Sequence, residues 1–537
     1  MFKKIIQYAL WVFISGMLIA CADLEPPPKE ELAEIPAETE TAPSTEPTTI
    51  PTATLVPTET PVDYEAIFEP ADCAFELRTV EEVNCGYLIV PEDRQQPDQT
   101  IRVHVAVVTS RSSNPAKDPL VYLNGGPGGH TLVATDLFIS QFTDIVNDRD
   151  LILLDLRGVG FSEPNIDCHE TTDVLLANIE KPLSVDEERS HYLDATKQCY
   201  ERHLAAGINL SAYHSKAMVD DLDDLREALG YESWNLYGIS YGSRVALTAL
   251  REYGDSGSIR SVILDSPYTP EADFVGDFYR VFDRSFDLLF ERCRLNDICN
   301  EEYPDLEARF YALVDQLNEE PITVVVSDRV NNQVLRVPFN GNDLVNHVFL
   351  ELYLPSSILS LPRTIARLER GGTSDIAERM GLDIVLNEFS SFGLTNSVIC
   401  VEEFPFEKET GHSGDDGEGV ADQVLNVANG ASQIWRDTCE VWQVDAAEEL
   451  IENEPVFSSI PTLLLSGDYD PITPPDYATQ AAWYLVNSNH FIFEGQSHGV
   501  FGITKCSEVI VGQFLEEPMN RPDDSCLEDM FWGFAPP

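Results

Sequence analysis

Cations are scarce in this chain: 34 Lys and Arg stand against 92 Asp and Glu in 537 residues, a formal net charge of −58. So anionic a protein repels phosphate, which excludes a nucleic-acid partner, and it suits solubility at an exposed surface or in a saline habitat. Metal-site spacing is missing as well. No two of the 11 cysteines form a C-x-x-C pair; Cys293 and Cys299 have five residues between them. No cofactor motif stands out, so neither a metal nor an organic cofactor is expected. The apolar stretch near the start, Ile5 to Ala20, covers 16 residues, short of the ~20 that a membrane-spanning helix needs. Core-forming residues are plentiful: a hydrophobic share of 43% with 9% aromatics is that of an ordinary globular protein and excludes disorder of the whole chain.

Lys3 and Lys4 precede the Ile5 to Ala20 run, the pattern of a secretory signal. The run ends in Leu18-Ile19-Ala20-Cys21, which resembles a bacterial lipoprotein box, with Cys21 as the residue that is lipidated and becomes the new N-terminus; the plainer reading is a signal peptide with an incidental cysteine. From Ala22 to about Thr60 the composition shifts to Pro, Thr, Glu and Ala, which cannot bury a core and reads as a solvated tether. About 40 such residues at ~3.1 Å each reach at most about 120 Å from a membrane. Setting Cys21 aside leaves 10 cysteines, an even number that fits disulfides in an oxidising compartment. Connectivity does not follow from sequence, but close spacing suggests that neighbours pair: Cys73 with Cys85, Cys168 with Cys199, Cys293 with Cys299, Cys400 with Cys439, and Cys506 with Cys526.

The most informative segment is Gly238-Ile239-Ser240-Tyr241-Gly242, set between a strand-like run, Ser233 to Tyr237, and a helix-like run, Ser243 to Tyr253. A serine forced onto a sharp strand-to-helix turn needs glycine two residues to either side, because a side chain there would collide with neighbouring backbone. Upstream, the strand-like Asp118 to Leu123 runs into Asn124-Gly125-Gly126-Pro127-Gly128-Gly129. Read alone this is a flexible glycine turn. After a strand and ahead of an elbow it can offer a backbone N–H, that of Gly126, to join the Tyr241 N–H around the oxyanion of a tetrahedral intermediate.

The other members of a Ser–acid–His triad should follow in that chain order. Ile460 to Ser466 reads as a strand leading into Gly467-Asp468-Tyr469-Asp470, and His490 to Glu494 as a last strand leading into Gly495-Gln496-Ser497-His498-Gly499. His498, in a small-residue loop past a strand, is the candidate base; His490, inside the strand, is the structural one. Asp470 is preferred as the acid. Asp468 has the alternative of capping the turn, and Asp265, ending the Ser261 to Leu264 strand, is the backup.

Together these segments resemble the prolyl aminopeptidase and tripeptidyl aminopeptidase family of α/β-hydrolase serine peptidases, from about Cys73 onward. The family's oxyanion loop usually opens with His where this chain has Asn124, a departure that touches loop support. A second signature, Asp-x-Arg-Gly-x-Gly-x-Ser, is met at Asp155 to Ser162, and reads mostly as a tight turn with structural ion pairing. The helix Asp220 to Leu229 also looks like the family's, with Asp221, Asp224 and Arg226 expected on its polar face. Gly467-x-x-Asp470-x-x-Thr473-Pro474 and Ser497-His498-Gly499 look like the tripeptidyl branch.

The resemblance implies an α/β-hydrolase fold, a mostly parallel sheet flanked by helices, with a mainly helical cap inserted after the sixth strand. Its expected divisions are a signal peptide over 1–20, a tether over 21–65, core over 66–267, cap over 268–457 and core again over 458–537. Expected core strands are Ile101 to Thr109, Leu120 to Leu123, Leu151 to Leu154, Trp234 to Tyr237, Ser261 to Leu264, Thr462 to Leu465 and His490 to Phe493. The cap should hold helices at Phe282 to Cys293 and Leu306 to Leu317 and a hairpin at Ile322 to Ser327 and Gln333 to Pro338. Within it, Asn396 to Phe404 resembles the family's Cys-x-Glu/Asp segment, which makes Glu402 or Glu403 candidate anchors for a substrate's N-terminal ammonium; solvated surface acids are the alternative. The implied function is a lipid-anchored exopeptidase on the extracytoplasmic face of the cell membrane, acting on peptides with a free N-terminus. A carboxylesterase using the same triad is the competing reading, and a catalytically silent ligand-binding lipoprotein a third.

Overall fold

Leu120–Leu123 and Leu151–Leu154 read Leu-Val-Tyr-Leu and Leu-Ile-Leu-Leu, and every one of these side chains is buried. Strands apolar throughout belong where both faces of a sheet are covered. The computed structural model, which describes residues 64–410, 419–447, 450–530 and 534, places both inside one nine-stranded sheet. The expected signal segment, Cys21 and all but the last two residues of the expected tether lie outside the described residues. Among the described residues, no helix is long and apolar enough to cross a membrane.

In chain order the strands are β1 (Ile67–Pro70), β2 (Val83–Pro91), β3 (Thr100–Val108), β4 (Leu120–Leu123), β5 (Leu151–Leu154), β6 (Trp234–Ile239), β7 (Ile259–Asp265), β8 (Ile322–Asp328), β9 (Gln333–Phe339), β10 (Thr462–Gly467) and β11 (Ser488–Phe493). The large sheet runs β1-β2-β3-β5-β4-β6-β7-β10-β11, while β8 and β9 form a separate hairpin. The pairs among β1, β2, β3 and β5 are antiparallel, and every pair from β5 to β11 is parallel. The α/β-hydrolase fold expected from the sequence is therefore present. The large insertion follows β7, which is sixth when the four-residue edge strand β1 is left out of the count.

Alternation along each strand divides the core between the two faces. From β4, Val121 and Leu123 pack with Met218 and Leu222 of the helix Ser215–Leu229 and with Val245 of the helix Tyr241–Tyr253. Leu120 and Tyr122 pack with Phe138 and with Ile510 and Phe514 of the helix Lys505–Glu516. The insertion has its own core. On the helix Phe278–Leu295, Phe278, Phe282, Phe286 and Phe290 recur every four residues along one apolar stripe, and Phe282 stacks on Phe349 at 4.2 Å.

β1 and β2 are additions to the strands expected from the sequence. Asn84 and Gly86 interrupt β2, and the glycine has a structural reason: a Cβ there would lie 2.5 Å from the Phe68 ring and 2.6 Å from the Glu69 carbonyl oxygen of β1. All five neighbouring cysteine pairs are joined as disulfides. One expectation is corrected. Asp221 does not face solvent: it is buried and takes a bidentate pair of hydrogen bonds from Arg157, at 2.7 and 2.6 Å, because the Asp155 to Ser162 turn packs its guanidinium against this helix.

Candidate active site

Ser240 lies between the end of β6 and the helix Tyr241–Tyr253 with φ 54° and ψ −125°, a backbone conformation rare for a non-glycine residue. The flanking glycines follow from contact distances. A Cβ at Gly238 would lie 2.3 Å from the Gly242 carbonyl oxygen, and one at Gly242 would lie 2.0 Å from that of Leu123. The turn is held by the Ser240 N–H, which donates to the Asp265 carbonyl at 3.0 Å, and by the Ser243 hydroxyl, which donates to the Ser240 carbonyl.

A second Gly-x-Ser-x-Gly occurs at Gly495 to Gly499. It follows β11 without entering a helix, and its Ser497 is buried with its hydroxyl donated to the Leu352 carbonyl, so Ser497 is not a rival nucleophile.

The glycine loop after β4 lies against the elbow. A Cβ at Gly125 would lie 2.9 Å from the Ser240 Cβ and 3.4 Å from its Oγ. Asn124 braces this loop: its Oδ1 accepts from the Gly125 N–H at 2.9 Å and from the Tyr122 hydroxyl at 3.1 Å, and its Nδ2 donates to the His130 carbonyl at 3.4 Å. Asp155 braces the far side, accepting the Thr131 and Leu132 N–H groups at 2.7 and 3.0 Å. Among the described residues no acceptor takes the N–H of Gly126 or that of Tyr241, the first residue of its helix.

His498 and Asp470 meet. The His498 Nδ1 lies 2.9 and 3.1 Å from the two oxygens of Asp470, which is wholly buried. The carboxylate also accepts the Ile472 and Thr473 N–H groups at 3.0 and 2.8 Å and the Thr473 hydroxyl at 2.9 Å. Burial opposes both charges, yet the pairing prevails: His498 is held above the ordinary imidazole value by Asp470, and Asp470 below the ordinary carboxylate value by His498 and the backbone donors.

The competing acids and the second histidine have other work. Asp265 accepts the Tyr237 hydroxyl at 2.5 Å and the Val500 and Phe501 N–H groups at 2.8 and 2.9 Å, and the Ser266 hydroxyl accepts the Gly499 N–H at 2.8 Å. These two residues fix the chain just past His498. Asp468 pairs with Arg292 and accepts the Gly495 N–H at 2.8 Å. His490 bonds the Ser466 hydroxyl at 3.0 Å, and burial pushes its imidazole down to about 4.

Two cap residues at the site carried no signal in the sequence. The Tyr353 ring stands edge-on to His498 at 5.2 Å, and Arg284 donates to the Asp470 carbonyl at 3.1 Å and to that of Asp468 at 2.5 Å.

Glu402 and Glu403 are both buried rather than solvated, in a π-helical turn Ile399–Glu403. Glu402 is fully engaged. It accepts the Ser215 N–H and hydroxyl at 2.5 and 2.9 Å and Arg244 Nε at 3.0 Å, so both of its oxygens are bonded within the fold. Glu403 differs: Arg244 Nη1 lies 2.9 Å from its Oε1 without hydrogen-bond geometry, and burial, only partly offset by Arg244 and Tyr268, pushes the carboxyl up to about 7. Cys168, Cys199 and His203 cluster within 4.8 Å, but the two sulfurs are joined as a disulfide and offer no thiolate to a metal.

The family described as alpha/beta hydrolase fold matches residues 118–344, and that described as TAP-like protein matches residues 426–526. The putative hydrolase YuaR of Escherichia coli is 22% identical over 466 residues, covering 83% of this chain and 88% of its own. Serine protease Hip1 of Mycobacterium tuberculosis is 25% identical over 455 residues, covering 80% of this chain and 84% of its own. The tripeptidyl aminopeptidase of Streptomyces coelicolor is 28% identical over 212 residues, 38% of each chain.

Proposed function

Because this chain belongs to the α/β-hydrolase family of serine hydrolases and carries the TAP-like C-terminal segment, we propose that it is an exopeptidase cleaving peptide bonds near a free N-terminus, as a prolyl or tripeptidyl aminopeptidase does. The observation that carries the reading is a charge mismatch under the cap. Two buried carboxylates, Glu402 and Glu403, face one guanidinium, that of Arg244, and Glu402 holds it by a hydrogen bond at 3.0 Å. A substrate ammonium is the cation that would satisfy Glu403, while an ester substrate brings none.

In this reading Ser240 gives its proton to His498 Nε2 as its oxygen attacks the scissile carbonyl carbon. Asp470 keeps the other imidazole proton on Nδ1 and stabilises the imidazolium. The N–H groups of Gly126 and Tyr241 receive the oxyanion. On collapse the C–N bond breaks, His498 returns the proton to the leaving amine, and an acyl-enzyme on Ser240 remains. Water, deprotonated by His498, releases the acid and restores the serine. The lipobox-like Cys21 and the tether add the location: a lipid-anchored enzyme on the extracytoplasmic face of the cell membrane.

The test compares one peptide p-nitroanilide with its N-acetylated form. Loss of a desolvated charge pair costs about 2–5 kcal/mol, so acetylation should lower kcat/KM by at least roughly tenfold. Equal rates on both, alongside fast turnover of p-nitrophenyl esters, would put the carboxylesterase reading ahead.

A further inference from the structure

The far half of the glycine loop is bonded to one segment of the cap. The His130 N–H donates to the Phe389 carbonyl at 3.1 Å, the Ser391 N–H donates to the Gly128 carbonyl at 2.8 Å, and Gly129 pairs with Ser390 as an antiparallel bridge. The Thr395 hydroxyl lies 2.7 Å from the Pro127 carbonyl oxygen and 3.1 Å from that of Ser391, so its one proton goes by preference to Pro127. The fit leaves no slack: a Cβ on Gly128 would stand 2.4 Å from the Ser391 carbonyl oxygen, and one on Gly393 would stand 1.8 Å from that of Ile166. From Phe392 the segment continues as the helix Phe392–Val398 into the turn Ile399–Glu403, which is tied to Arg244 through Glu402 and to the helix Asp422–Val441 through the Cys400–Cys439 disulfide.

We infer that Thr395 is a positioning residue for the oxyanion site. Donors stabilise a developing oxyanion best when they are held in place before the charge appears. Asn124 is the loop's own side-chain brace, at Gly125 and His130; the four glycines bring none, so the middle of the loop must be held from outside. Around Gly126 the Gly125 carbonyl accepts the Gly129 N–H at 3.1 Å, inside the loop, whereas the Pro127 and Gly128 carbonyls are taken by Thr395 and Ser391 of the cap. The Gly126 N–H shares its peptide plane with the Gly125 carbonyl, which the Gly129 N–H holds; Gly129 is itself bridged to Ser390, so the cap steadies that plane at one remove, through Gly129 and through the Pro127 and Gly128 carbonyls. The inference rests on the roles proposed above for Ser240 and Gly126.

Thr395→Val removes the hydroxyl and keeps the shape, and Thr395→Ser restores the donor. The measurements are kcat and KM on a free-amine peptide p-nitroanilide, the affinity of the matching peptide boronate, which forms a tetrahedral adduct, thermal unfolding, and the residue labelled by a fluorophosphonate in the wild type. Losing one such hydrogen bond should lower kcat roughly tenfold in the valine variant, with KM within about twofold. Boronate affinity should fall in parallel, and the serine variant should recover most of both. A valine variant that keeps kcat and boronate affinity overturns the inference, as does one whose loss falls on KM and unfolding temperature alone, or one that serine does not rescue. A wild-type label on a residue other than Ser240 would overturn the reading of the site itself, and the inference with it.

Discussion

Replacing Asp470 by Asn changes the site electronically while nearly preserving its shape. Asp470 is fully buried and accepts from His498, the Ile472 and Thr473 N–H groups and the Thr473 hydroxyl. An asparagine can keep its oxygen on the two backbone donors, but its amide then points at the Thr473 hydroxyl and at His498 Nδ1. To avoid donor facing donor, the imidazole must accept at Nδ1 and carry its proton on Nε2, where it cannot take the serine proton. A tautomer error of this kind lowers kcat about 10⁴-fold, or about 5.4 kcal/mol at ~1.36 kcal/mol per decade. The pH dependence gives a second readout. The free enzyme is active with His498 neutral, and His498 is held above its ordinary 6.5, so the acid limb of kcat/KM should lie above 6.5 in the wild type and move down in Asp470→Asn. Stopped assays from pH 5 to 9 with a p-nitroanilide, and fluorophosphonate labelling rates at each pH, measure both. A loss smaller than tenfold, or an acid limb that stays in place, would refute the argument.

Glu403→Gln should abolish the preference for free-amine over acetylated peptide while leaving ester hydrolysis intact. Glu402→Gln should keep that preference but lower the unfolding temperature, since breaking a buried ion pair costs about 3–5 kcal/mol. The preference should also depend on pH. Below about 7 the Glu403 carboxyl is neutral and cannot pair, and above ~8 a peptide α-amine loses its proton, so the ratio of kcat/KM for free over acetylated peptide should peak between these values. A flat ratio from pH 5 to 9 would dismiss Glu403 as the anchor. Finally, Cys21→Ala should release the protein from membranes; retention after a high-salt wash would sink the lipid-anchor reading.

The reaction-centre candidates were legible because glycines flank Ser240 at the strand-to-helix turn, and because Asp470 and His498 stand in short loops past β10 and β11. β4 and β5, apolar throughout, could be read to the residue. Telling Asp470 from Asp468 and Asp265 needed three-dimensional pairing, since each stands at or just past the end of a strand and only the structure shows Asp468 on Arg292 and Asp265 on the Val500 and Phe501 N–H groups. Glu402 and Glu403 were found by resemblance, but their different surroundings depend on Arg244 and Ser215, more than 150 residues away in the chain. Tyr353, Arg284 and Thr395 left no trace in the sequence. Each acts through a long-range contact made by the cap, and nothing in its neighbours' pattern sets it apart.

Mass spectrometry of the fluorophosphonate-treated enzyme identifies the nucleophile itself. One adduct is expected, on the peptide containing Ser240, with stoichiometric loss of peptidase activity. The adduct should be absent in Ser240→Ala and greatly slowed when His498 is replaced, while replacement of His490 leaves labelling intact. An adduct on another serine, or undiminished labelling of the Ser240→Ala protein, would contradict the role of Ser240 as nucleophile.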